Sequence, residues 1–213
     1  MLGRMGDTCR LPLFADCREV DDEIRCPGDG GYSVIPLFGR RVRVRKDSAP
    51  IRLMGCLDEL VNVANGARLS FGNGAVGRIA SIVMALSMQL NAYLVQGSDE
   101  RLGRVREVED ALMSEVVKIC RGFKGPLGWV LAVTPELQAV DAIRVKLREC
   151  GRVAASMLDE YPQSTNIIGA LNHADKLVAQ AIYCLGGQVF RSVDDVVEYL
   201  LRSVREQDRL INK

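Results

Sequence analysis

Residues 143–152 read IRVKLRECGR, with arginines at 144, 148 and 152. That four-residue spacing places the three guanidinium groups one above another along a single stripe of a helix. Ile143, Leu147, Cys150 and Ala154 form the apolar stripe beside it, so the segment is an amphipathic helix with one face for a core. Like charges at this spacing oppose an isolated helix by about 0.2–0.5 kcal/mol per pair. Glu149 is the acid beside the stripe and cannot neutralise all three. The stripe is either a solvated edge or a site for a strongly anionic ligand, and spacing alone leaves both open.

Outward from this helix, the chain is punctuated at regular intervals by breaker chemistry. SFGNG (70–74), GSDE (97–100), RGFKGPLG (121–128) and CLGG (184–187) separate apolar-periodic stretches. Thr134 before Pro135 and Glu136 gives a capping hydroxyl with proline at the first helical position, and Ser192 caps the last helix. The reading predicts helices over 48–70, 76–97, 100–122, 134–160, 165–186 and 192–208. Short connections between long helices favour antiparallel neighbours, hence an all-α, up-and-down bundle. Residues 1–47 differ, with Pro12, Pro27, Pro36 and a cluster of glycines around short β-prone runs. They predict an irregular N-terminal strap with a hairpin, leading into a helical bundle over 48–213 in one domain spanning 1–213.

Composition sets further bounds. The chain is 48% hydrophobic and 26% charged, which supplies a core, but only 5% aromatic, so Leu, Val, Ile, Ala and Met must fill it. A net charge of +1 argues against a dedicated nucleic-acid partner. The N-terminus lacks the apolar run of a secretion signal. Residues 79–97 (IASIVMALSMQLNAYLVQG) carry no formal charge, but their serines, glutamines and asparagine favour a buried helix over a membrane span. The expected compartment is the cytoplasm, with no membrane partner. Seven cysteines without a CxxC pair, odd in number and without a secretion signal, argue against a disulfide scaffold. Cys9, Cys17 and Cys26 lie near one another in sequence but match no zinc spacing.

Four other stretches hold candidate chemistry. In CPGDGGYS (26–33), Gly28, Gly30 and Gly31 allow backbone N–H groups to converge on an anion, with Asp29 available to a hydrogen bond or a hydrated magnesium ion. The same residues also make an ordinary turn. GRRVRVRKD (39–47) holds five positive charges and one acid, and on a strand Arg41, Arg43 and Arg45 share a face. A charged edge strand is the common use of such a pattern. GCLDELVN (55–62) sets Asp58 and Glu59 within an apolar stripe, so one carboxylate is expected near the buried seam with arginine as partner. NIIGALNHADK (166–176) contains His173, the chain's one histidine, which excludes a His-rich zinc site and predicts a hydrogen-bonded structural role.

In this order, the pieces resemble the PduO-type ATP:cob(I)alamin adenosyltransferases. Gly28-Asp29-Gly30-Gly31-Tyr32-Ser33 is similar to that family's TGDxGTT phosphate loop, and Arg43-Val44-Arg45-Lys46-Asp47 to its R-V-x-K-D element. Gly55-Cys56-Leu57-Asp58-Glu59-Leu60-Val61 resembles G-x-V-D-E-L-N. Arg144, Arg148 and Arg152 fall on three arginines of R-x-x-x-R-R-A-E-R, and Leu171-Asn172 opens the L-N-R-L-S-D match. The resemblance covers about residues 26–186. It implies a five-helix, ferritin-like bundle with a short C-terminal helix, assembled as a homotrimer that holds ATP between subunits.

The implied reaction is attack of the cobalt(I) of reduced cobalamin on C5′ of ATP, forming adenosylcobalamin and expelling triphosphate, with Mg2+ accompanying the nucleotide. The implied phosphate loop is Gly28, Asp29, Gly31 and Ser33, with Lys46 on phosphate oxygens. Arg148 and Arg152 would meet the triphosphate, Asn172 the nucleotide, and Asp58 with Arg144 would pair across subunits. Trp129 stands where the family keeps a phenylalanine beside cobalamin. Departures fall on the polar network: Pro27, Gly30, Val61, Glu149, Gly151, His173 and Lys176 replace family residues, and Ala132-Val133-Thr134 replaces P-G-G. Two other readings remain open at this point, a non-catalytic relative that binds ATP or corrinoid for sensing or delivery, and a structural bundle without a ligand.

Overall fold

Chain segments with the least charge end up where the most neighbours meet, and here that segment is residues 75–96. The structure, a computed structural model, describes residues 12–211, with side chains through 205. Among them are six long helices: α1 (Ala49–Phe71), α2 (Ala75–Gln96), α3 (Asp99–Ile119), α4 (Pro135–Ala155), α5 (Ser164–Cys184) and α6 (Val193–Ile211). Helix α2 touches α1, α3, α4 and α5, while α1 also packs on α4, α4 on α5, and α5 on α3. The four outer helices close around it. That position explains why α2 is apolar on nearly every side: by length and composition it could cross a membrane, yet its side chains fill this bundle.

One continuous core runs through the bundle, with Leu53, Leu57, Leu60, Leu86, Leu90, Ile143 and Leu147 fully enclosed. Three polar groups on α2 tie it to its neighbours. Ser87 Oγ donates to the Leu57 carbonyl of α1 at 2.7 Å, and Tyr93 Oη accepts from Asn166 Nδ2 of α5 at 2.8 Å. Arg78 Nε donates to Glu115 of α3 at 2.7 Å, neutralising a carboxylate that is otherwise buried. Each satisfies a group whose burial alone would cost a few kcal/mol.

Helix boundaries follow the punctuation. Pro50 lies in the first turn of α1 and Pro135 opens α4, whose cap Thr134 accepts from the Leu137 N–H. Gly97, with φ of 65°, ends α2 in the left-handed conformation. The predicted 134–160 helix stops at Ala155, because Ser156–Tyr161 close into successive turns before Pro162. The last helix is not short: at 19 residues it nearly equals the others.

The strap is more ordered than its sequence suggests. Strands β1 (Arg18–Val20) and β2 (Glu23–Arg25) form one hairpin, and β3 (Tyr32–Leu37) and β4 (Arg40–Arg45) another. Phe38 and Gly39, at the tip of the second, donate their N–H groups to the Leu94 and Val95 carbonyls at the end of α2. A third ladder, β5 (Trp129–Leu131) with β6 (Gln188–Phe190), joins the α3–α4 and α5–α6 connections. Alternation over three residues is too short to show in sequence.

The cysteines correct a sequence expectation. Six of them pair: Cys17–Cys26, Cys56–Cys150 and Cys120–Cys184. The second and third close sequence separations of 94 and 64 residues, contacts that local spacing cannot reveal. Cys17 and Cys26 are consumed in a bond across the first hairpin rather than in a metal site, and Cys9 lies outside the described residues.

Candidate functional site

Arg148 and Arg152 of the α4 stripe face a groove against α5, and Arg144 lies outside it. A cavity of about 480 Å³ is lined by Arg148, Gly151, Arg152, Asn172, Asp175 and Lys176, over an apolar floor that includes Leu147 and Leu171. Three cations and one carboxylate border it. Arg148, Arg152 and Asn172, singled out from sequence, are therefore brought together by two adjacent helices.

The stripe is not left to repel itself. Arg148 Nε donates to both carboxylate oxygens of Asp175 at 2.9 Å, and the Asp175 side chain is only 8% exposed. Arg144 Nε donates to Asp141 at 2.6 Å, one turn earlier on the same helix. Glu149 turns away from the arginines to Lys146, which also reaches Glu59 on α1 at 2.7 Å. These bonds hold Lys146 protonated to higher pH than an ordinary lysine, the Glu149 bond first and the Glu59 bond second. Arg152 has no ion pair among the described residues and is exposed. Because Arg148 commits only its Nε, its terminal amino groups remain to donate to an anion in the groove.

Asp58 and Glu59 are both exposed, contrary to the expectation that one would lie in the seam. The buried stripe of α1 runs through Leu53, Cys56, Leu57, Leu60 and Ala64, which turns both acids outward. Asp58 borders a second surface cavity with Ser87, Met88 and Asn91 on the α1–α2 side. Within one chain, Arg144 is matched to Asp141 and not to Asp58.

The glycine loop and Lys46 form a separate cluster. Gly28 and Gly31 have φ of 99° and 79°, the left-handed region that glycine enters freely. A Cβ on Gly28 would stand 3.0 Å from Lys46 Cε, and the Lys46 N–H donates to the Gly31 carbonyl, so loop and lysine lie against each other. Asp29 accepts the Cys26 N–H at 2.7 Å, which leaves its other oxygen for a further partner. Ser33 lies on β3 opposite Val44. Two residues beyond Lys46, Ser48 Oγ is buried without a partner at the N-cap of α1, beside a cavity of about 330 Å³ shared with Arg45, Glu160 and Tyr161. Arg41, Arg43 and Arg45 share the exposed face of β4 as expected, and Arg43 stacks 4.0 Å over the Tyr32 ring.

Neither cavity is shared between this cluster and the arginine groove. Trp129 belongs to neither: it opens β5 opposite Phe190 and is 58% exposed. His173 is hydrogen-bonded as expected, to Glu109 on α3 at 3.2 Å, but on the surface. Among the described residues, no three metal-ligating side chains converge. Asp29 therefore offers a single carboxylate, which suits magnesium arriving with phosphates and not a cage of protein ligands.

Sequence reading missed Asp141, Lys146 and Ser48, and noted Asp175 without its bond to Arg148. Asp141 and Asp175 carried a usable signal, an acid three residues before Arg144 and another next to the family's aspartate position. Ser48 carried none.

Comparison with known proteins comes from structure. No family model matches the sequence, and no curated protein matches it significantly. Solved structures that share the fold include variants of a PduO-type ATP:corrinoid adenosyltransferase from Lactobacillus reuteri. A phenylalanine-to-alanine variant complexed with cobalamin and ATP is 16% identical, with a TM-score of 0.57, and the match covers 78% of this chain and 97% of that one. A phenylalanine-to-histidine variant with the same ligands is 16% identical at TM-score 0.58, covering 78% and 94%. An arginine-to-lysine variant complexed with ATP is 14% identical at TM-score 0.60, covering 77% and 97%. The likeness is one of fold, and the chain resembles these enzymes as a divergent counterpart with additional length.

Proposed function

We propose that this chain is a corrinoid adenosyltransferase, transferring the 5′-deoxyadenosyl group of ATP to cob(I)alamin and releasing triphosphate. The observation that carries the reading is the α4–α5 groove, where Arg148, Arg152 and Asn172 converge in a fold shared with enzymes solved with ATP and cobalamin. The reduced corrinoid substrate supplies the nucleophile: the cobalt electron pair forms the Co–C bond while the C5′–O bond breaks and triphosphate leaves with the pair of that broken bond. The protein's share is to hold ATP in line and to stabilise charge on the leaving group. Arg148 and Arg152 would do so from the groove, with Asn172 orienting the nucleotide. No proton must be moved by a side chain, in keeping with a chain that has one histidine, paired at the surface.

The loop of Gly28, Asp29, Gly31 and Ser33 with Lys46 forms the second half of the proposed site. Because it shares no cavity with the groove in one chain, the reading calls for a homotrimer in which one subunit's strap faces a neighbour's groove. Asp29 would help hold Mg2+ arriving with the nucleotide, whose charge would offset that of the phosphates. Asp58 would leave its surface cavity to pair with a neighbour's Arg144, competing with Asp141. Trp129 would close over the corrinoid. The unit is a single domain, its bundle of the five-helix, up-and-down type with α6 appended. The proposed compartment is the cytoplasm, where structural disulfides persist chiefly in heat-adapted organisms.

The test is ATP-dependent conversion of chemically reduced cobalamin to adenosylcobalamin, followed by absorbance. Conversion that requires magnesium and is lost in Arg148→Ala supports the reading. Absence of conversion at saturating ATP overturns it. A second reading is favoured by Gly151, where the family keeps a glutamate: a relative that binds ATP or corrinoid without turnover, recognised by saturable calorimetric binding with no product.

A further inference from the structure

Helix α6 carries two apolar stripes, and the bundle uses one. Val196, Tyr199 and Ser203 are half-buried, with the Tyr199 ring 5.3 Å from Phe190 in β6. The second stripe is Val193, Val197, Leu200, Leu201 and Val204, spaced as the face of one helix. Its members are 45–54% exposed, a run of large aliphatics that a soluble surface rarely leaves open.

We propose that this stripe is a contact between two copies of the chain, their α6 helices running antiparallel about a two-fold axis. Charge selects the partner and the direction. Over residues 193–205, the stretch the two copies would share, the first half is acidic (Asp194, Asp195, Glu198) and the second carries Arg202 and Arg205; beyond it α6 is mixed, with Glu206, Asp208 and Arg209. Asp195 is occupied as the helix cap, exchanging hydrogen bonds with Ser192, and Glu198 pairs with Arg202 at 3.0 Å within the helix. An antiparallel register that sets Val193 against Val204 and Val197 against Leu200 brings Asp194 of one copy beside Arg205 of the other. Two-fold symmetry makes that pair twice. Parallel helices would set acid against acid. A lipid surface fits poorly, because interfacial helices carry a lysine- and arginine-rich polar face, whereas α6 holds five carboxylates to three guanidinium groups. The contact rests on α6 alone and is independent of the proposed activity.

Sedimentation of the full chain reads the result. The expected mass is an even number of chains, six where the proposed trimers pair through α6, and Val197→Glu with Leu200→Glu halves it while circular dichroism keeps its helical signal. Asp194→Arg and Arg205→Asp each weaken association by tenfold or more, and the two together restore it. An unchanged mass in the glutamate variant overturns the proposal, as does failure of the double reversal to restore what either single change weakened. Co-sedimentation of a monomeric chain with phosphatidylserine vesicles also overturns it. Should the glutamate variant lose its helical signal, the charge-reversal set decides alone, since those residues lie on the polar face.

Discussion

Asp175 shows how a single side chain separates stability from binding in this groove. Its carboxylate is buried and depends on Arg148. Arg148→Ala therefore removes an anion contact and also strands a charge, costing about 1–3 kcal/mol in a urea melt. Adding Asp175→Asn should recover most of that stability while ATP binding, measured by calorimetry, stays lost. Gly151 offers the complementary test. A Cβ there would meet nothing nearer than Leu171 Cβ at 3.9 Å, so Gly151→Ala should stabilise α4 by up to ~1 kcal/mol, read from the denaturation midpoint. If the groove holds a nucleotide against that open backbone, the same substitution weakens ATP binding. The arginines of this site were legible because four-residue spacing is a helical signal. Asp141 and Asp175 stand at telling places in the sequence, but the pairing itself was not legible, since which acid an arginine meets depends on the neighbouring helix and the rotamer.

Two ties hold α1 to α4 side by side, and they respond to different conditions. Cys56–Cys150 closes a long loop, which by chain entropy stabilises the fold by about 4–5 kcal/mol. Cys56→Ala with Cys150→Ala should lower the urea midpoint accordingly, and a dithiol reductant should bring the wild-type chain toward the same value. Thiol titration of the unreduced protein should count no more than one reactive group per chain, since six of seven cysteines are paired. The second tie, Lys146 between Glu59 and Glu149, has the opposite sensitivity. Its raised pKa gives stability that is fully present below the ordinary lysine value and lost as pH rises through the folded one. The difference in melting temperature between wild type and Lys146→Met should stay constant at neutral pH and close at strongly alkaline pH. The elements themselves were legible from breakers and caps, within a few residues, except where turns after Ala155 ended α4 early. The staples were not, because they join residues far apart in sequence.

At the scale of the molecule, the same order of elements that makes α2 the hub also dictates when it can be covered. Helix α1 precedes it on the chain, but α4 and α5, which close its remaining faces, lie about 40 residues and more downstream. During synthesis, an apolar segment of membrane-spanning length, with Arg78 as its one charge, stands partly bare until those residues emerge. Chains halted before Pro135 should therefore aggregate or partition into added vesicles, whereas chains released after Cys184 should not, a contrast that flotation of ribosome-released fragments would read. The feature that gives the finished protein its centre makes the unfinished one resemble a membrane protein, so its biogenesis depends on how fast translation delivers the second half.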